Sequence, residues 1–345
     1  MSLHNEIFDQ YEVLKNLLAA QKQQAKKIAA EIKRRDVRYV FLAARGTSDN
    51  AGRYANYLWG AHNQLPLALA TPSLFSIYEQ PPLLKNALVV GISQSGMSPD
   101  IVAVVAEGKR QGCLTLAITN EPESPLAQEA DFVFDIQAGK EEAVAATKTY
   151  TAELMVIAML STALLDNSAG WEELDRVPAW TETVLKLDSC LEQLTARYRY
   201  MQRCVVLGRG FNYATAFEWS LKLKELTYVE AEPYSSADFM HGPIAMVDHG
   251  FPVMVVNPSG KVFDSMLDIM KQLKDGQKAE LAVISDHPRA LEQALSPIQL
   301  PAGIPEWLSP IIAIIPGQLF GYHLTRHRGF NTEAPRSIHK VTETQ

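Results

Sequence analysis

Apolar positions follow two spacings along this chain. From residue 39, short unbroken apolar runs appear at Tyr39-Val40-Phe41-Leu42-Ala43, Leu67-Ala68-Leu69-Ala70, Ala87-Leu88-Val89-Val90-Gly91-Ile92, Leu114-Thr115-Leu116-Ala117-Ile118-Thr119 and Phe132-Val133-Phe134-Asp135-Ile136. Runs that are apolar on successive positions suit strands buried on both faces. The stretches between them read as helices, at about 51–60, near 72–80, over 101–108 and over about 147–166. Strands separated by helices imply a parallel sheet covered on both sides. Ahead of the first strand, Ile7, Tyr11, Leu14, Leu17 and Leu18 predict one or two amphipathic helices over 6–35. Their basic tail (Lys26-Lys27, Lys33-Arg34-Arg35) reads as a solvated face rather than a binding patch.

The pattern then starts again at Cys204-Val205-Val206-Leu207-Gly208. Arg45-Gly46 recurs as Arg209-Gly210 and Ser95-Gly96 as Ser259-Gly260, both at an offset of 164, while Ala117-Ile118-Thr119 corresponds to Ala282-Val283-Ile284 at 165. Each pair lies in or just after an apolar run. The expected fold is therefore α/β, with two tandem doubly wound units, each a parallel sheet between helices. The expected organisation is a helical segment at 1–36, a first unit at 37–170, a connecting helical segment at 171–198, a second unit at 199–330 and a tail at 331–345. Ligands of such sheets sit outside the carboxyl ends of the strands, where the glycine and serine loops fall.

Composition narrows the partners. Among 345 residues, 47% are hydrophobic and 21% charged, and the net charge is −7 without a long basic run. That argues against nucleic acid or an anionic membrane as the main partner, although local donors can still hold a small anion. Cys113, Cys190 and Cys204 are scattered and odd in number, as free buried thiols in a reducing compartment would be. With no signal-peptide core and no membrane-length apolar run, a cytoplasmic location is expected. His323 and His327 are four apart but show no third ligand nearby in sequence, so no metal is expected.

Four stretches carry candidate chemistry. Ser93-Gln94-Ser95-Gly96-Met97-Ser98-Pro99-Asp100 joins a strand to a helix. It offers hydroxyls and free N–H groups at the positive end of a helix dipole, a seat for phosphate, or else a plain helix cap. It lacks the P-loop lysine and the three-glycine dinucleotide pattern, so a small phosphorylated molecule fits better than ATP or NAD. The second copy reads Asn257-Pro258-Ser259 at the matching place, which assigns phosphate to the first half. Next, a helix predicted over Tyr213–Glu230 carries Glu218, Lys222 and Glu225 at i, i+4 and i+7. A charged stripe ordinarily faces water, but Ala214, Phe217, Leu221, Tyr228 and Val229 surround this one. A buried stripe must be paired or used, and a Glu beside a Lys can act as general base on a carbon-bound proton. His241, on a loop expected to be irregular, is either structural or a titrating group suited to opening a sugar ring. The tail, Asn331 to Thr342, either frays or folds over a site and offers a lysine to a carbonyl.

Taken together, Arg45-Gly46-Thr47-Ser48, Ser93-Gln94-Ser95-Gly96, Val144-Ala145-Ala146-Thr147-Lys148, Leu207-Gly208-Arg209-Gly210, Leu221-Lys222-Leu223-Lys224-Glu225, His241-Gly242-Pro243 and Pro335-Arg336…Lys340 resemble the sugar isomerase (SIS) superfamily. The arrangement resembles the double-SIS isomerase half of glucosamine-6-phosphate synthase, running in order from about residue 39 to 342. The resemblance implies two flavodoxin-like SIS domains and a phosphosugar held by Gly46, Thr47, Ser48, Ser93, Gln94, Ser95 and Ser98, with Val144 lining the sugar site. It implies Glu225 as the base moving a proton between C1 and C2, with Lys222 and Glu218 as helix-face companions. His241 would open the ring from the neighbouring subunit of a homodimer, and Lys340 would lie near the reacting carbonyl. No cofactor or metal is implied.

Departures from that pattern shape the expected reaction. With Met1-Ser2-Leu3 and about 38 residues before the first strand, a glutaminase domain is not expected, nor glutamine as nitrogen source. Met97 stands where the synthase has an acidic residue, Ala44 where it has cysteine, Ala146 where it has serine and His339 where it has a small residue. Arg45-Gly46-Thr47-Ser48-Asp49, Ser98-Pro99-Asp100 and Ser124-Pro125-Leu126-Ala127 resemble more closely the glutaminase-free SIS-type glucosamine-6-phosphate deaminases. The expected activity is conversion of glucosamine 6-phosphate to fructose 6-phosphate and ammonia. The alternatives are a fructosamine-6-phosphate deglycase, an ammonia-dependent synthase and a non-catalytic sugar-phosphate sensor.

Overall fold

The computed structural model describes residues 2–338 and 340; Met1, His339 and residues 341–345 lie outside the described residues. The chain forms two compact units. The first comprises Glu12–Glu142, Ala146–Arg176 and, from the tail, Ile338 and Lys340. The second comprises residues 2–11, Ala143–Ala145 and Val177–Ser337.

The first unit holds strands β1 (Tyr39–Ala43), β2 (Leu67–Leu69), β3 (Ala87–Ile92), β4 (Leu114–Thr119) and β5 (Phe132–Asp135), all parallel in the order β2-β1-β3-β4-β5. The second holds β6 (Arg203–Gly208), β7 (Glu230–Ser235), β8 (Pro252–Val256), β9 (Glu280–Ser285) and β10 (Ser296–Gln299), also parallel, in the order β7-β6-β8-β9-β10. Counted within its own unit, each order is 2-1-3-4-5, the flavodoxin-like arrangement. β3 and β4 are buried at every position, the reason their sequences run apolar without alternation.

Side-chain alternation divides each sheet's residues between two cores. In the first unit Ala43, Val89 and Ala117 pack with Ile101, Val104, Val105 and Leu126 from helices Pro99–Arg110 and Pro125–Glu129. On the opposite face Leu42 and Leu69 press against Gly52 of helix Gly46–Asn63, which also packs on helix Lys148–Leu165. In the second unit Val205, Leu207, Val253, Val255, Leu281 and Val283 meet Phe263, Met266, Leu267 and Met270 of helix Phe263–Asp275. Helix Tyr213–Lys222 packs on helix Ser309–His327 through Trp219 and Phe320, whose rings lie 5.5 Å apart, edge to face. No helix among the described residues is long and apolar enough to cross a membrane. Cys113 and Cys204 are buried as expected, but Cys190 is exposed, on the outer side of helix Asp188–Thr195.

Three local expectations change. The helix after β1 begins at Gly46 rather than near Ala51. The helix near 72–80 shrinks to Ser73–Ser76, ahead of Pro81-Pro82, which disfavour a helical residue before them. The helix expected over Tyr213–Glu230 divides: α-helix to Lys222, a π-turn over Leu223–Thr227, Tyr228 in the left-handed region (φ 58°), then β7. β7 is an edge strand holding Pro233, a tolerated edge position, and its polar sequence gave no apolar run to read.

Candidate functional site

β1 and β3 are neighbours, and the strand order turns between them, so the loops leaving their carboxyl ends flank the switch point of the first sheet. After β1, Arg45 is extended (φ −135°, ψ 152°) and Gly46 is left-handed (φ 54°), which places Thr47 and Ser48 in the first turn of their helix rather than on a loop. The Arg45 guanidinium pairs at 2.8 Å with Asp100, a fully buried carboxylate at the start of helix Pro99–Arg110. Two helix N-termini are thereby tied together. Ser48 donates its hydroxyl to Glu153 Oε1 at 2.8 Å.

The serine loop is shaped from within. Ser93 Oγ accepts the Gly96 N–H (3.1 Å), and Ser95 Oγ accepts the Met97 N–H (3.3 Å). Gly96 is left-handed (φ 61°), and a Cβ there would lie 2.0 Å from Ser124 Oγ, so only glycine fits. Ser98 occupies the N-cap position but makes no side-chain cap bond. Among the described residues the N–H groups of Gln94, Ser95 and Ser98 find no protein acceptor. Free donors and hydroxyls converging at a helix N-terminus suit a dianion such as phosphate.

The counterpart loops of the second unit share the backbone but bond to the chain's own carboxylates. Arg209 is again extended (φ −149°, ψ 154°) and Gly210 left-handed (φ 60°). After β8, however, the Ser259 N–H donates to Asp286 Oδ1 (2.6 Å) and the Lys261 N–H to Glu306 Oε2 (2.9 Å), with Glu306 folded over Gly260. Two of the chain's own carboxylates fill the place of an anion and would repel one.

The charged stripe of the second unit is a buried cluster. Lys222 Nζ lies 3.3 Å from Glu218 Oε1 and 2.6 Å from Glu225 Oε2, with the Lys222 and Glu218 side chains buried and that of Glu225 24% exposed. Burial alone pushes an ammonium down, but the Glu218 and Glu225 carboxylates outweigh it and hold Lys222 above the ordinary lysine range. The π-turn carries Glu225, rotating it away from a plain i+3 position, a local distortion frequent at functional sites. One carboxylate is thus locked in the interior and the other reaches the surface through the same ammonium.

His241 ends a short helix, Ser236–Met240, rather than lying on an irregular loop, and its ring is exposed. Val144 is half-buried in the segment Ala143–Ala145, whose Ala143 N–H donates to the buried Glu6 carboxylate. The tail is held at two points, Arg336 and Lys340. The Arg336 N–H donates to the Tyr228 hydroxyl (2.9 Å) while its guanidinium stacks 3.7 Å above that ring. Lys340 Nζ pairs with Glu141 Oε2 at 2.5 Å.

Glu141 escaped sequence reasoning. It is buried, and besides Lys340 it accepts the N–H groups of Thr147 (2.9 Å) and Thr149 (3.2 Å) and the Thr149 hydroxyl (2.9 Å). Within Lys140-Glu141-Glu142 it looks like one more surface charge, and its cationic partner lies 199 residues away in sequence. His323 also departs from expectation, since it does stand in a group of ligand-type residues. Its Nε2 and that of His4 both meet Asp188 Oδ1, at 2.7 and 3.1 Å. The carboxylate meets one nitrogen of each imidazole. Among the described residues the buried His323 Nδ1 has no acceptor for the N–H that a metal-bound ring would carry there, so the contacts of this cluster are read as hydrogen bonds to Asp188.

The SIS domain model matches residues 35–163 and 199–326, two spans at the offset read from the sequence. The chain is similar to "Glutamine--fructose-6-phosphate aminotransferase [isomerizing]" of Pyrococcus horikoshii, 32% identical over 341 residues, and to the protein of the same name from Thermococcus kodakarensis, 34% identical over 345. Both matches take in 97% of this chain and 56% of the relative, so the chain spans a little over half the length of these curated relatives. Among solved structures, the C-terminal domain of glucosamine-fructose-6-phosphate aminotransferase from Francisella tularensis has a TM-score of 0.87 at 28% identity, covering 96% of this chain and 98% of that one. The structure of glucosamine-6-phosphate deaminase from Thermotoga maritima shares the fold, with a TM-score of 0.79 at 21% identity and full coverage of both chains. The chain belongs to the SIS domain family, and carries that domain twice.

Proposed function

We propose that this protein is a phosphosugar isomerase/deaminase that converts glucosamine 6-phosphate to fructose 6-phosphate and ammonia. The observation that carries this reading is the Glu218–Lys222–Glu225 cluster, in which one carboxylate of a buried ion-paired group reaches solvent on a π-turn. A carboxylate held by a single ammonium is pre-positioned to accept a carbon-bound proton. The free N–H groups of the serine loop support phosphate as the anchor, with Gly46, Thr47, Ser48, Ser93, Gln94, Ser95 and Ser98 as its surroundings and Val144 beside the sugar.

The proposed steps balance without a redox partner. His241 moves a proton between the C1 hydroxyl and the ring oxygen, opening the ring to the aldehyde. Glu225 removes the C2 proton, giving a 1,2-enolamine whose C1 oxygen is stabilised by Lys340. Returning that proton to C1 gives a ketimine, and water adds at C2 to release ammonia and fructose 6-phosphate. Lys222 and Glu218 hold Glu225 in place. Run backwards with ammonia, the same steps form glucosamine 6-phosphate, a direction favoured by the likeness to the aminotransferases.

The deciding experiment supplies glucosamine 6-phosphate to the pure protein and measures ammonia and fructose 6-phosphate, with the reverse reaction run in ammonium salt. Equal release of both products is expected. Inactivity in both directions, with turnover of an amino-acid adduct of fructose 6-phosphate instead, would replace this reading by a deglycase.

A further inference from the structure

We propose that Glu141 is the positioning residue of the tail lysine, an inference that rests on the role given above to Lys340. Four donors meet its carboxylate: the N–H groups of Thr147 and Thr149 on Oε1, and the Thr149 hydroxyl and Lys340 Nζ on Oε2. The first three belong to the start of helix Lys148–Leu165, where the helix dipole favours a negative charge. The Glu141 side chain is fully buried and the Lys340 side chain 22% exposed. Three of the four donors to the carboxylate thus come from the body of the first unit, and the tail supplies the cation. A charge-assisted bond of this kind is short and directional.

This arrangement does two things for a lysine that must meet a developing negative charge on oxygen. It fixes Nζ to a point on a helix terminus rather than leaving it on a four-carbon stem with free rotors. It also keeps a carboxylate beside the amine, an electrostatic contact made by a fully buried side chain. Glu141 acts through Lys340 and need not touch the sugar.

The test separates this inference from the reaction assigned above. Lysine labelling by an amine-acylating reagent at limiting dose, read by mass spectrometry, needs no substrate. Lys340 in Glu141→Gln should label roughly fivefold or more faster than in the parent, because the amine is no longer held against a buried carboxylate. Unchanged labelling overturns the inference whatever the enzyme does. On the substrate, Glu141→Gln and Lys340→Met should each lower kcat about tenfold or more with little change in KM, and the double variant should fall no further, as expected of groups acting as one unit. Additive losses, or a kcat unchanged in Glu141→Gln, also overturn it. Thr149→Val, which removes one of the four donors and leaves the charge, should give a smaller change of the same kind and covers the case in which Glu141→Gln fails to fold. Should the parent turn over no aminosugar phosphate at all, the labelling still decides the ion pair, and only the reaction reading fails.

Discussion

Glu225 gathers the residue-scale chemistry. Its Oε2 is held by Lys222 while the side chain remains partly exposed, and the ammonium is itself fixed by buried Glu218. Glu225→Gln keeps the shape and removes the basicity. Its kcat should fall about 10²–10⁴-fold, the usual contribution of a positioned base, with KM and calorimetric phosphosugar affinity within about threefold of the parent. Retained turnover would remove Glu225 as the base. Gly96 makes a different residue-scale prediction. A side chain there would enter Ser124 and hold a left-handed backbone, which costs about 1–2 kcal/mol before any clash is counted. Gly96→Ala should lower the melting temperature by several degrees and raise KM for the phosphosugar, because the serine loop must move to admit the methyl group. A KM equal to the parent's would detach this loop from phosphate.

At the scale of elements, the repeat makes the two switch points comparable. Both place an extended arginine and a left-handed glycine after the first strand of the sheet, yet among the described residues the Gln94, Ser95 and Ser98 N–H groups of the first meet no protein acceptor, while the Ser259 and Lys261 N–H groups of the second donate to carboxylates. Asp286 and Glu306 already occupy the second. Titration calorimetry with glucosamine 6-phosphate should therefore saturate at one equivalent per chain, and two equivalents would show that the second loop also opens. The lost hydroxyls of Asn257-Pro258-Ser259 were legible in the sequence, but the carboxylates that replaced the anion were not, since they come from beyond β9 and from residue 306. The same limit hid Glu141. Strands such as β3 were legible because burial on both faces leaves an unbroken apolar run, whereas β7 and the π-turn depend on neighbours rather than on local pattern. Three helices meet at Asp188, and here pH is informative. Burial holds His323 below the ordinary imidazole range, against the pull of Asp188. Burial alone would raise Asp188, but hydrogen bonds from His323 and His4 outweigh it and hold it below the usual carboxylate range. Both folded values lie below the unfolded ones. The His323 contribution is therefore complete above pH about 6.5 and lost as pH falls through its folded value, and the Asp188 contribution goes likewise below pH about 4. Melting temperature should fall on acidification from pH 7 to 5, and His323→Gln should flatten that slope. An identical slope in the variant would place the acid sensitivity elsewhere.

At the scale of the whole molecule, the open question is which chain supplies His241 to a given Glu225. The ring is exposed at the end of a short helix and makes no hydrogen bond among the described residues, so nothing in its own unit fixes its direction. The homodimer that the resemblance implies gives a sharp way to ask. Glu225→Gln and His241→Ala should each be nearly inactive alone. If the histidine is donated across a two-fold interface, a mixed dimer contains one site with both groups intact and one with neither. Random reassortment makes half of the dimers mixed, so mixing equal amounts after mild dissociation should restore about a quarter of the parental activity. If His241 instead serves the Glu225 of its own chain, every site in the mixture lacks one group and the activity stays at the level of the separate variants. The recovered fraction therefore assigns the histidine. Sedimentation of the same mixture reports whether the species that recovers activity is the dimer.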